Sequence, residues 1–218
     1  MLQNDKIQVP FVDAHVLRTA LDEQLNKIYS GNIPIPVPIE EIIENIQKIS
    51  LEFEEYDEGL LGWSDIASNT IWINSKLLEE ENDYRLRFTM AHELGHCVLH
   101  KKYKDSFLSY RSDEDNDKAN LFYKNNYTRL EIQANLFAAN ILMPYSACLK
   151  KWEEFTGSSS PYFLKREQER YFAQIRKGIV DLSCITSVEI IQHMSETFQV
   201  SWKAAKIQLE QLLLFVNS

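Results

Sequence analysis

The residues of this 218-residue chain with the most chemistry to offer are His92, Glu93 and His96, in the run His92-Glu93-Leu94-Gly95-His96. Two histidines four apart on a helix leave the same face with Cβ atoms about 5 to 6 Å apart, so both imidazoles can converge on one ion at about 2.0 to 2.1 Å. A carboxylate one position after the first histidine lies about 100° round the helix, where it misses the ion but reaches a water held by it. Zinc lowers the pKa of such a water from about 15.7 to about 7, so Glu93 need only take the proton and pass it to a leaving amine. The pattern predicts a zinc-dependent hydrolytic site with His92 and His96 as ligands and Glu93 as general base. The plain alternative is two histidines on a helix surface.

Two ligands do not complete such a site. His100 continues the four-residue spacing, but a rise of about 1.5 Å per residue carries it roughly 6 Å beyond His96, away from His92. A buried histidine that supports a ligand suits it better than a third ligand. The long motif with a histidine after a glycine turn is excluded, because Leu99 and Lys102 stand where Gly and His are required. A carboxylate from another helix is the remaining common solution, and Glu131 is the candidate. Thr128-x-x-Glu131 also fits a capping box, in which the glutamate only ties down a helix start. Pattern alone leaves ligand and cap evenly open.

These side chains need elements to hold them. Residues 84 to 100 and 129 to 142 are expected to be the two helices, the second stopped by Met143-Pro144. Ahead of them lie a helix over about 12 to 30, an extended segment at Ile33-Pro34-Ile35-Pro36-Val37-Pro38, and a short amphipathic helix over 38 to 49. Strands are expected at 51–56, 60–67 and 70–74, forming a small antiparallel sheet. The polar stretch 101–127, with Asp105, Asp113, Glu114, Asp115 and Asp117, is too long for an ordinary connection and lacks the ligand alternation of a calcium loop. A short helix over 145–153 and helices near 161–176, 187–198 and 202–215 follow.

The stretch Arg87-Phe88-Thr89-Met90-Ala91-His92-Glu93-Leu94-Gly95-His96, followed by Glu131-x-x-Ala134-Asn135-x-Phe137-Ala138-Ala139-x-Ile141-Leu142-Met143-Pro144, resembles the ImmA/IrrE family of zinc metallopeptidases. The strand Thr70-Ile71-Trp72-Ile73-Asn74 and the segment Phe198-Gln199-Val200-Ser201-Trp202-Lys203-Ala204-Ala205 are similar to the family as well. The likeness covers roughly 38–150 well and the C-terminal third loosely, and residues 150–185 are longer than the family pattern. It implies that His92, His96 and Glu131 hold zinc and that Glu93 is the catalytic base. It also implies an endopeptidase whose substrate is a repressor or another regulator of a mobile element or stress response, with helix-turn-helix proteins as first candidates.

Composition narrows the partners. Lys plus Arg number 23 against 32 Asp plus Glu, a formal net charge of −9 that makes broad contact with a nucleic-acid backbone unfavourable. Residues 187–215 resemble a helix-turn-helix, yet Glu189, Glu196 and Glu210 offset Lys203 and Lys206, so packing on the core or gripping a protein substrate is favoured over DNA recognition. The competing reading of the whole chain is a non-catalytic zinc-binding or DNA-binding regulator. Cys97, Cys148 and Cys184 lack Cys-x-x-Cys spacing and read as structural, which with the absence of a secretory signal or of an apolar run of roughly 18 residues points to the cytoplasm. The expected fold is α+β and zincin-like. Residues 1–37 would form a helix and connector, 38–150 the peptidase core and 151–218 a helical region.

Overall fold

The computed structural model describes residues 9–57, 59–79, 83–103, 117–177 and 185–216, with the backbone alone over 117–126 and at 103, 171, 175 and 177. Asp13 opens helix α1 (Ala14–Ile28) by accepting from the His15 and Val16 amides at 2.8 and 3.2 Å, and Leu17, Leu21 and Leu25 form its buried stripe. The proline segment bends at Ile35-Pro36, where the peptide bond is cis, and leads to α2 (Ile39–Glu41), which widens at once into a π-helical turn, Ile42–Ile46. That turn differs from the expected regular helix, and it lets the adjacent Ile42 and Ile43 both face the core.

The sheet has three strands in the order β1-β3-β2: β1 (Ser50–Glu54), β2 (Gly62–Asp65) and β3 (Thr70–Asn74). It is mixed, not wholly antiparallel as expected. β2 and β3 run antiparallel, with Trp63 opposite Trp72, whereas β1 and β3 run parallel, with Leu51 opposite Ile71. The most apolar strand takes the centre, where Ile71 and Ile73 are fully buried, and β2 becomes the far edge beside the next helix. Asn74 closes the arrangement by donating to the Leu60 and Tyr56 carbonyls at 2.8 and 3.3 Å.

Helix α3 (Tyr84–Leu99) carries the histidine motif and packs against α4 (Asp117–Leu142). The second helix begins eleven residues before Thr128, so Thr128 is an interior residue and the capping-box account of Glu131 fails. Residues 104–116, which hold most of the acidic stretch, lie outside the described residues, as does Cys184.

The chain turns at Met143-Pro144 into α5 (Tyr145–Thr156), which ends at Gly157 with φ +70°. It continues as β4 (Tyr162–Phe163), α6 (Leu164–Lys177), α7 (Ser187–Phe198), α8 (Trp202–Gln211) and β5 (Phe215–Val216). The parallel pair β4–β5 was not expected, because two-residue strands carry no periodicity. One buried apolar cluster includes residues of α1, β3, α3, α4, α5, α7 and α8, so the C-terminal helices share the core that backs the histidine helix. Among the described residues no helix is long and apolar enough to cross a membrane.

Candidate metal centre

Two glycines let three elements meet. A Cβ on Gly95 would lie 3.1 to 3.2 Å from Phe137 and Ala134, so its absence allows α3 and α4 to approach closely. Ala91, Ala134 and Ala138, all fully buried, keep that interface small. A Cβ on Gly62 would come within 2.9 Å of Thr89 and of the Trp72 carbonyl, so β2 too can press on α3 only because this position is bare.

The close approach brings His92, His96 and Glu131 together. The two Nε2 atoms are 3.1 Å apart, His92 Nε2 is 3.3 Å from Glu131 Oε2, and His96 Nε2 is 3.4 Å from Glu131 Oε1. Tetrahedral donors at about 2.0 to 2.1 Å from an ion lie about 3.3 to 3.4 Å from one another. The three separations match that spacing, and the donor set of two imidazoles and a carboxylate fits a divalent metal. Glu93 is buried on the same helix, with its carboxylate engaged by the Ser64 hydroxyl of β2.

Over residues 42–176 the chain matches the peptidase family described as the IrrE N-terminal-like domain. The chain belongs to this metallopeptidase family. No curated protein matches it. Among solved structures it is similar to a Mycobacterium tuberculosis transcriptional regulator, with 14% identity and a TM-score of 0.49. The likeness covers 92% of this chain and 48% of that one, so the chain spans about half the length of that protein.

Electrostatics in this IrrE-like domain follow from burial set against the ion pairs. Burial opposes a charged His92, but the hydrogen bond to Glu131 and the charges of Glu93 and Glu131 outweigh it and raise its pKa above 6.5. Burial would raise the Glu131 pKa, yet the hydrogen bonds from His92 and His96 hold it well below the usual carboxylate range. At Glu93 burial wins over the nearby histidines and pushes the carboxyl upward. Burial also lifts the Cys97 thiol to about 12, in keeping with a packing role.

His100 meets His96 through the far side of its ring: the two Nδ1 atoms are 3.0 Å apart, and His100 Nε2 lies 3.1 Å from Gln133 Oε1. It therefore touches a ligand of the candidate site and not the ion's position, and with both nitrogens engaged it does not serve as an oxyanion donor. Among tyrosines that could donate to an oxyanion, Tyr127 is half exposed one turn before Glu131. Tyr110 and the Tyr123 side chain lie outside the described residues. Sequence reasoning assigned no role to Asn135, whose Oδ1 lies 3.1 Å from His92 Nδ1, nor to Gln133 and Ser64. Asn135 stands four residues after Glu131, so the shared stripe was the signal available.

Proposed function

We propose that this chain is a zinc-dependent endopeptidase acting in the cytoplasm on a regulatory protein, with a helix-turn-helix repressor as first candidate. The observation that carries the reading is the 3.1 to 3.4 Å spacing of three donor atoms beside a buried carboxylate. Two imidazoles and one carboxylate suit zinc, and three protein donors leave a fourth position for reactants. When bound there, zinc supplies Lewis acidity, which polarises a peptide carbonyl and makes a water easier to deprotonate.

The remaining work belongs to side chains. His92, His96 and Glu131 serve as the donors. Asn135 accepts from the Nδ1–H of His92 and so leaves the Nε2 lone pair facing inward. Glu93 takes the proton of the attacking water on its carboxylate and returns it to the amine nitrogen as the peptide bond breaks. The Ser64 hydroxyl steadies the carboxylate of Glu93.

The test is Glu93→Gln, compared with wild type for zinc content and for new protein N-termini in expressing cells. Zinc should stay stoichiometric while cleavage falls by about 10²- to 10⁴-fold. An identical set of new termini in both strains would sink the peptidase reading.

A further inference from the structure

We propose that the backbone carbonyl of Pro10 sets the tautomer of His96 through Gln133 and His100, making those two side chains positioning residues for the metal. The inference rests on the proposed metal site but not on its being a peptidase. Four groups stand in line: Gln133 Nε2 donates to Pro10 O at 2.8 Å, Gln133 Oε1 faces His100 Nε2 at 3.1 Å, and His100 Nδ1 faces His96 Nδ1 at 3.0 Å.

A carbonyl can only accept, so the Gln133 amide must turn its NH₂ to Pro10 and its oxygen to His100. That oxygen can only accept, so the neutral His100 ring carries its proton on Nε2 and offers a lone pair at Nδ1. His96 then carries its proton on Nδ1, and its Nε2 lone pair points at His92 and Glu131, where a metal needs it. Each link has one allowed direction, and the chain starts at a group that cannot reverse.

The starting point is itself secured. Arg129 donates to the Val9 carbonyl at 2.9 Å, and Val9 is buried against Leu130, so the segment carrying Pro10 is held along α4 one helical turn before Gln133 and reaches that side chain directly. A bare imidazole in this position would divide its proton between two nitrogens. The relay removes that choice before the ion arrives.

The decisive measurement is a two-bond ¹H–¹⁵N spectrum of the histidine rings in the metal-free full chain, where no ion dictates the His96 tautomer. His100 should show the Nε2–H form and His96 the Nδ1–H form; in Gln133→Leu the His100 signal should shift toward a mixture. Zinc affinity, read by chelator competition, separates this role from packing. His100→Phe should weaken binding by about 10- to 100-fold, whereas His100→Gln, whose amide oxygen can still accept from His96, should recover most of the loss. A site that needs only bulk would rank the two variants the other way, which would overturn the proposal. A metal-free wild type with the His100 proton on Nδ1 would overturn the relay alone. A wild type that binds no zinc would take the metal site down with it, and loss of peptidase activity would leave both intact.

Discussion

Two helix pairs in this chain bear recognisable motifs, α3 with α4 and α7 with α8, and they use their polar residues in opposite ways. In the C-terminal pair the fold consumes them. Thr186 and Glu189 form a reciprocal capping box, Ser195 donates to the Val200 carbonyl at 2.7 Å, and Ser201 caps α8. Gln208 donates to Asn140 and to the Met143 carbonyl, docking α8 on the end of α4, while Ile190, Met194, Phe198 and Leu209 enter the common core. In the α3–α4 pair three donor atoms face one another, and a buried carboxylate stands beside them. Polar groups spent on caps and docking mark architecture, whereas lone pairs aimed at a shared point mark a site.

The contrast can be broken by showing that both pairs answer alike to substitution. Glu131→Ala should have the largest effect, removing stoichiometric zinc from the purified protein; full zinc occupancy in that variant would mean the helix pair lacks the site described. Gly95→Ala should come next, costing about 1 to 3 kcal/mol in urea unfolding and weakening zinc, because the added methyl meets Phe137 and Ala134 at 3.1 to 3.2 Å. Thr186→Ala should cost about 1 kcal/mol by the same assay and leave zinc affinity untouched, since it removes only a cap.

The smallest and most diagnostic effect is on pH. In metal-free protein the depressed Glu131 pKa contributes stability above the unfolded value of 4.5 that is lost as pH falls. The raised His92 pKa contributes stability below 6.5 that is lost as pH rises through the folded value. Their joint contribution should peak between pH 4.5 and 6.5, and Glu131→Gln should flatten that peak in denaturation curves across pH.

The histidine helix was legible because its information is local: His92, Glu93 and His96 lie within one turn and a fraction. Glu131 was ambiguous for a local reason too. Thr128-x-x-Glu131 imitates a helix start, and the residues before it, including Asn120, Asn125 and Asn126, are weak helix formers that concealed a helix beginning at Asp117. The observed start removes the capping-box account. The parallel pairing of β1 with β3 was not readable, because the register joins residues twenty apart across an intervening strand and depends on which strand takes the centre. Gln133 and Asn135 looked like ordinary polar residues on a helix flank, and their roles emerge only from what the neighbouring helix places opposite them.

Arg87 has a consequence in time as well as in space. Its guanidinium lies buried on α3, donating from Nη2 to the Val37 carbonyl at 2.9 Å and from Nε to the Gln199 carbonyl at 3.3 Å. During synthesis the helix leaves the ribosome more than a hundred residues before its second acceptor. A nascent chain stopped short of residue 199 lacks the acceptor for the Arg87 Nε–H. The histidine helix thus gains its full set of hydrogen bonds only after residue 199 has been made.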